Sequence, residues 1–192
     1  MKKVGVLALQ GAFQAHIERL VSLGAAAHPI RFRSELDGID ALVMPGGEST
    51  TMSLLLGAND LVAPLSDLIG DGLPVFGTCA GMILLASDIL DGRDDQIAFN
   101  ALPISVRRNG YGRQLASFEA DLQITGIEHE ENPFRAVFIR APKVESVGAG
   151  LEVLANVDGD PVMVRLGPVW ATAFHPELTD DLRVHAAFLK SL

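Results

Sequence analysis

Hydrophobic residues in the first half of the chain alternate between short unbroken runs and patterns with helical spacing. Unbroken apolar runs occupy residues 4–9, 41–44 and 73–76, and each predicts a strand that is covered on both faces. Apolar residues at helical spacing between and after these runs predict helices. They are Phe13, Ile17, Leu20 and Val21, then Met52, Leu54, Leu55 and Leu56, and finally Met82, Leu84, Leu85 and Leu90. Strands that alternate with helices indicate a parallel sheet with helices on both faces.

Turn residues separate these elements. Gly24 is expected to end the first helix, and Pro45-Gly46-Gly47 ends the second apolar run. Ser49 or Thr50 is expected to cap the helix that follows, because a hydroxyl oxygen can accept a hydrogen bond from a free N–H at a helix start.

The second half of the chain has the pattern of short strands, many with one polar face. Apolar and polar residues alternate over residues 118–124, and further runs at 135–139, 151–157, 162–166 and 169–174 predict strands. Asp158-Gly159 predicts a hairpin turn, and residues 182–189 predict a closing helix. With no repeat or linker apparent, we expect one α/β domain over residues 1–192, a three-layer sandwich with a mostly parallel central sheet and short antiparallel strands.

Charge and cysteine content narrow the function classes. The 192 residues include 15 basic and 24 acidic ones, a formal net charge of −9, which argues against nucleic-acid or anionic-membrane binding. A single cysteine excludes an internal disulfide, and no apolar run approaches the ~20 residues that span a bilayer. The N-terminal apolar run is too short for a secretory signal. We therefore expect a cytoplasmic protein.

The single cysteine stands in a segment that favours nucleophilic chemistry. Cys79 follows a predicted strand, precedes a predicted helix and has Gly77 and Gly81 two residues away on either side. This is the spacing of a nucleophile elbow, in which the glycines avoid collisions with neighbouring backbone. The helix start also supplies positive potential and free N–H groups, which stabilise a thiolate and an oxyanion. A buried structural cysteine is the alternative, and the flanking glycines favour the nucleophile.

A thiol nucleophile needs a base and a group that orients the base. His175 follows a predicted strand and precedes Glu177 by two residues, with Pro176 stiffening the backbone between them. We predict a Cys79–His175–Glu177 triad, whose members need only meet in space. A structural role is preferred for the other histidines, which are His16, His28, His129 and His185.

The glycine-rich segment at residues 45–49 is a second candidate binding loop. It lacks the lysine of a phosphate-binding loop and the glycine spacing of a dinucleotide site. Its acidic Glu48 would repel phosphate, so a polar or zwitterionic ligand fits better. No cysteine or histidine pair has the spacing of metal ligands, and no metal site is predicted.

At this level of detail the chain resembles the class I glutamine amidotransferases, and within them the glutaminase subunits of pyridoxal 5′-phosphate synthases. The resemblance extends over nearly the whole chain in order. Its segments are VLALQG (6–11), PGGESTTM (45–52), GTCAGM (77–82), RNGYGRQ (108–114), FIRAP (138–142) and AFHPE (173–177). Gly110-Tyr111 departs from the Ser- or Ala-Phe pair expected there.

The resemblance implies hydrolysis of L-glutamine to glutamate and ammonia, with Cys79 as nucleophile, His175 as proton carrier and Glu177 orienting His175. Ammonia would pass to a synthase subunit within a hetero-oligomer, and no cofactor is needed. The residues that match glutamine-contacting positions are Gly47, Glu48, Ser49, Arg108, Ile139 and Arg140. The segment leaves open whether Arg107 or Arg108 faces the substrate. The oxyanion-hole candidates are Gln10, Gly11 and Ala80.

Three other functions stay open on the sequence. The chain could be another glutaminase subunit, such as the one that serves imidazole glycerol phosphate synthesis. It could also be a cysteine hydrolase or peptidase that acts without a partner. A non-catalytic regulatory subunit is the third possibility, and the presence of Cys79, His175 and Glu177 argues against it.

Overall fold

A computed structural model describes residues 1–110 and 117–192 of the chain. The first six strands are β1 (Lys3–Leu7), β2 (Ala26–Ile30), β3 (Ala41–Met44), β4 (Val75–Thr78), β5 (Ala86–Ile89) and β6 (Leu102–Arg107). The next six are β7 (Ser117–Leu122), β8 (Phe134–Ile139), β9 (Lys143–Val147), β10 (Glu152–Val157), β11 (Asp160–Leu166) and β12 (Val169–Thr172). The α-helices are α1 (Phe13–Ser22), α2 (Ser49–Ala58), α3 (Val62–Gly70), α4 (Ala80–Leu85) and α5 (Arg183–Lys190).

A seven-stranded sheet forms the centre of the molecule, in the order β10-β11-β12-β4-β3-β1-β2. Strands β12, β4, β3, β1 and β2 run parallel to one another, whereas β11 is antiparallel to β12 and β10 is antiparallel to β11, at one edge of the sheet. Helix α1 packs on β1 and β2 and contacts α5, while α4 packs on β3 and β4 and contacts α2. The predicted α/β class with a mostly parallel central sheet is confirmed; the single-domain organisation stays a prediction.

Buried apolar runs form the strands of this sheet. All four residues of β3 are buried and its bounds match the predicted run, because Pro45 and Gly46 follow it directly. The Asp158-Gly159 hairpin is also present, with φ of 51° and 89° at its two residues, between the antiparallel β10 and β11. Both φ values lie in the region that a two-residue type I′ turn requires.

Two smaller sheets accompany the central one. Strands β5, β6 and β9 form a three-stranded sheet, and β7 pairs with β8. The sequence pattern did not predict β6, β9 or α3. In the described part of the chain no single helix is long and apolar enough to span a bilayer; α2 and α3 pass the criterion only as a pair bent by 101°.

The predicted helix through Leu90 was too long. Helix α4 ends at Leu85, and the next four residues form β5. The backbone N–H groups of Phe99 and Ala101 donate to the carbonyl oxygens of Leu84 and Leu85 at 2.7 and 3.0 Å. Since those carbonyls would otherwise bond further helical residues, this distant segment ends the helix.

Candidate active site

Cys79 occupies a strained turn between β4 and α4. Its backbone has φ 51° and ψ −104°, a conformation that a residue with a side chain rarely adopts. The Cys79 N–H donates to the Thr172 carbonyl on β12 at 2.8 Å, which fastens the turn to the neighbouring strand. The elbow predicted at this position is therefore present.

The glycines on either side of Cys79 allow backbone to pack on backbone. A Cβ atom at Gly77 would lie 2.7 Å from the Gly81 carbonyl group. A Cβ at Gly81 would lie 2.0 Å from the Met44 carbonyl oxygen, at the end of β3. Helix α4 can therefore start directly over the ends of β3 and β4 only with glycine at both positions.

His175 and Glu177 lie just beyond β12. Pro176 begins a single 3₁₀ turn (Pro176–Leu178) that bends Glu177 back toward His175, so that His175 Nδ1 donates to Glu177 Oε1 at 2.7 Å. The His175 backbone N–H donates to the Val137 carbonyl on β8 at 2.9 Å, which fixes the imidazole from a second strand. His175 is 8% exposed and Glu177 only 1%.

The imidazole of His175 meets the Cys79 side chain beside Gly46. A Cβ atom at Gly46 would lie 2.3 Å from His175 Cε1 and 3.3 Å from Cys79 Cβ, so this backbone lies against both side chains. Burial lowers the pKa of His175, but hydrogen bonds and charge interactions with Cys79 and Glu177 outweigh burial and raise it to about 10. This arrangement stabilises an imidazolium next to the sulfur.

Glu177 is kept ionised despite its burial. Burial raises the pKa of this carboxyl, but the nearby His16, whose Nε2 lies 3.3 Å from Oε2, and then the hydrogen bond and charge of His175 hold it well below its usual range. A permanent carboxylate behind the imidazole orients the ring and stabilises its protonated form.

A cavity of about 280 Å³ opens in front of Cys79 and His175. All six residues predicted to contact glutamine line it, namely Gly47, Glu48, Ser49, Arg108, Ile139 and Arg140. Strand β8 ends at this cavity, where the Ile139 carbonyl lies 3.9 Å from Cys79 Sγ. The cavity therefore brings the Cys79 thiol and the His175 imidazole together with one acidic side chain, Glu48, and two basic ones, Arg108 and Arg140.

Arg108, and not Arg107, is directed to this cavity. Its Nη1 donates to Thr50 Oγ1 at 2.6 Å, and its backbone N–H donates to Asp91. The Arg107 side chain is 47% exposed and pairs with Glu145 at 3.2 Å. A guanidinium at Arg108 can bind a ligand carboxylate at this end of the cavity.

Comparison with known proteins identifies the family. The model of the SNO glutamine amidotransferase family matches residues 6–192. The chain belongs to the SNO glutamine amidotransferase family.

Individual relatives in this family are similar over almost their full length. "Pyridoxal 5′-phosphate synthase subunit PdxT" of Mycobacteroides abscessus is 55% identical over 97% of this chain and 95% of its own. The PdxT of Salinispora tropica is 52% identical over 96% and 94%. A "crystal structure of glutamine amidotransferase" matches with a TM-score of 0.91 and 44% identity over 98% of this chain and 97% of that one. A chain of the Thermotoga maritima PurLQS structure shares the fold, with a TM-score of 0.72, 15% identity and 98% coverage of both chains.

In this member of the SNO family, Glu48 and not Ser49 or Thr50 caps α2. Its carboxylate accepts the N–H groups of Thr50 and Thr51 at 3.0 and 2.7 Å and the Thr51 hydroxyl at 2.8 Å. Burial raises the pKa of Glu48, but these hydrogen bonds lower it below its usual range. The cap prediction was wrong because a longer acidic side chain one residue earlier reaches the same N–H groups.

Among the predicted oxyanion-hole residues, Ala80 follows Cys79 directly, Gln10 lines the cavity and Gly11 packs on Gly46, and their role stays a prediction. Gln10 Oε1 accepts the Glu48 N–H at 2.8 Å, and Ala80 is the first residue of α4. Gly11 has φ 86°, and a Cβ there would lie 1.7 Å from the Gly46 carbonyl oxygen. Only glycine fits against the Gly46 peptide in this way.

Some residues at the site were not predicted from the sequence to belong to it. Ile83 and Asn109 line the cavity, while His16 and His185 lie buried behind Glu177. The position of His16 on the apolar face that contains Phe13 and Leu20 was the available signal. The segment RNGYGRQ (108–114), one of those that carry the family resemblance, continues past Gly110 into Tyr111, Gly112, Arg113 and Gln114, which lie outside the described residues.

Proposed function

We propose that this chain hydrolyses L-glutamine to L-glutamate and ammonia as the glutaminase subunit of a pyridoxal 5′-phosphate synthase. The observation that carries the proposal is the meeting of the Cys79 elbow with the hydrogen-bonded His175–Glu177 pair at one cavity. The full-length similarity to relatives named PdxT, at 52–55% identity, supports the choice of synthase. A single cysteine that must remain a thiol supports action in the cytoplasm.

In the first half of the reaction, the Cys79 thiolate attacks the side-chain amide carbon of glutamine. The carbonyl oxygen becomes an oxyanion, for which the Ala80 N–H and the Gln10–Gly11 peptide are the candidate donors. The His175 imidazolium then gives its proton to the amide nitrogen. The C–N bond breaks, ammonia leaves, and a glutamyl thioester remains on Cys79.

The second half returns the enzyme to its starting state. Neutral His175 removes a proton from water as the oxygen attacks the thioester carbon, and the C–S bond breaks to release glutamate and the Cys79 thiolate. Glu177 accepts the His175 Nδ1–H at 2.7 Å, which keeps Nε2 available for proton transfer. Arg108 binds the substrate carboxylate at the far end of the cavity.

Ammonia release from glutamine tests this function, measured with and without the pyridoxal phosphate synthase subunit. Wild-type protein is expected to release ammonia, faster with the synthase present, and to take up one adduct of a glutamine-mimicking chloroketone. Cys79→Ala is expected to lose both the adduct and hydrolysis, because it removes the chain's single thiol.

Two results would contradict the proposal. Undiminished glutamine hydrolysis by Cys79→Ala would reject the nucleophile. Hydrolysis of peptides or other amides, with no ammonia from glutamine even beside the synthase, would favour the independent cysteine hydrolase.

A further inference from the structure

Two histidines from opposite ends of the chain lie behind the proposed triad. His16 on α1 and His185 on α5 are both fully buried, and His16 Nδ1 lies 3.0 Å from His185 Nε2. The other nitrogen, His16 Nε2, lies 3.3 Å from Glu177 Oε2 and 3.2 Å from Thr78 Oγ1. The two rings therefore extend the line of polar contacts from His175 through Glu177 into the core.

The contact at Glu177 Oε2 matters because this carboxylate has no access to solvent. Its side chain is 0% exposed, and His175 binds only Oε1. From the residues that the structure describes, the second oxygen, Oε2, accepts no well-aligned hydrogen bond, and His16 Nε2 is the ring nitrogen that faces it. A buried carboxylate oxygen without such a neighbour is costly, and the carboxyl would tend to take up a proton.

The hydrogen positions in this cluster follow from its contacts. A lone pair on His16 Nε2 would repel Glu177, so this nitrogen carries the hydrogen. The N–H points to both Glu177 and Thr78. Within the described part of the chain, Nδ1 of His185 has no hydrogen-bond partner, which is tolerable for a lone pair and costly for an N–H donor. We therefore assign the His185 hydrogen to Nε2, where it is donated to His16 Nδ1.

The environment of His185 agrees with this assignment. Burial lowers the pKa of His185 to about 3, so its ring holds a single hydrogen at neutral pH. A metal site does not account for the cluster. Among the described residues, no group of three or more histidine, cysteine, aspartate or glutamate side chains has the geometry to hold a metal ion.

We infer that His16 is a positioning residue for the proposed triad, fixing Glu177 through Oε2 while His185 fixes the ring of His16. This inference rests on the proposed function. His16 holds Glu177 in position, as Glu177 holds His175 in position. Because His175 gains and loses a proton in each turnover, a second fixed donor keeps Glu177 ionised and in place in both states. His16 is not among the described residues that line the cavity, so its effect on the reaction passes through Glu177.

The test measures the alkylation rate of Cys79 by iodoacetamide as a function of pH, together with kcat and KM for glutamine in the complex with the synthase. Since Cys79 is the single cysteine, alkylation reports the thiolate directly. His16→Asn leaves Glu177 Oε2 without a donor, whereas the longer His16→Gln places an amide N–H near the position of Nε2. Glu177→Gln is the positive control, and His28→Gln, at a half-buried histidine that contacts the Glu35 carbonyl, is the matched control.

His16→Asn is expected to move the acid side of the alkylation profile toward higher pH by about one unit, in the same direction as Glu177→Gln. We expect kcat to fall about tenfold with KM unchanged, and His16→Gln to restore most of both readouts. His28→Gln should leave both unchanged. Thermal unfolding of each variant identifies loss of fold, and the comparison of Asn with Gln holds whichever of the two is the more stable.

The outcomes separate this inference from the proposed function. If Glu177→Gln moves the profile and a folded His16→Asn does not, the His16 inference is wrong and the triad stands. If kcat falls equally in His16→Asn and His16→Gln and the alkylation profile does not move, His16 has only a structural role. If Glu177→Gln also leaves the profile and kcat unchanged, the triad itself is wrong.

Discussion

On one side of the His175 imidazole lies an open cavity of about 280 Å³, and on the other lies a dry cluster of ionisable side chains. The cavity side is built from loops, with Gly46 and Gly47 giving backbone close access to Cys79 and Gln10. The buried side is built from a 3₁₀ turn and two helices, and its ring nitrogens contact one another directly. The cavity side has room for a substrate, whereas on the buried side the ionisable groups contact one another.

The difference indicates how the two sides respond to substitution. On the cavity side, a lost contact weakens the binding of one ligand group and should appear mainly in KM. On the buried side, a lost contact alters the electrostatics of His175 and should appear in kcat and in pH dependence. Gly46 lies at the boundary, so a change there should affect both.

The largest effect is expected for Gly46→Ala. The new Cβ would lie 2.3 Å from His175 Cε1, which forces the imidazole away from Cys79. A displacement of about 1 Å at reacting groups costs about 100-fold in rate, and we expect a loss of that size in kcat/KM for ammonia release. Gly57→Ala is the matched control, because its Cβ meets open space within α2. A Gly46→Ala enzyme with normal kcat/KM would show that the space between Gly46 and the His175 imidazole can hold a methyl group.

A smaller effect, confined to the cavity side, is expected for Arg108→Met. Loss of the proposed charged hydrogen bond from Arg108 to the substrate carboxylate, worth about 1.5–3 kcal/mol, should raise KM for glutamine by at least tenfold with little change in kcat. Arg107→Met is the control, because that guanidinium pairs with Glu145 outside the cavity. Steady-state kinetics of both variants decide the matter. A larger effect from Arg107 would reverse the assignment.

A third effect, on stability rather than on rate, concerns the buried side and is a pH dependence of the free energy of unfolding. The pKa of His175 is raised from 6.5 to about 10, so the folded state keeps a proton that the unfolded state loses. Its stabilisation is present in full below pH 6.5 and is lost as the pH rises toward about 10. The free energy of unfolding should therefore fall over this range, and less steeply in Glu177→Gln. Denaturant unfolding at pH 6.5 and 9.5 measures both slopes; equal slopes would mean that Glu177 does not act on His175.

Local sequence signals predicted the parts of the fold and site whose causes are local. The run of β3 was predicted to the residue because it is wholly buried and followed by Pro45, and the Cys79 turn because Gly77 and Gly81 flank it. The six cavity residues came from resemblance rather than from any pattern within the chain. Their meeting point was predictable only in outline, from the rule that ligands bind at the carboxyl ends of parallel strands.

Contacts between distant segments account for the failures. Helix α4 stops early because Phe99 and Ala101 take its last carbonyl groups, and nothing near Leu85 indicates this. His16 and His185 lie 169 residues apart in the chain, and each alone has the pattern of a core residue on an apolar helix face. Only the packing of α1 on α5 makes them a pair.

The burial of the His16–His185 pair also makes the protein observable in a particular way. Ring N–H hydrogens in contact with water exchange rapidly and disappear from proton magnetic resonance spectra. The ring N–H hydrogens of His16 and His185 are shielded by the core and exchange with water only when the packing of α1 on α5 opens. They should give persistent downfield resonances, so events at the carboxylate can be followed from inside the protein without a label.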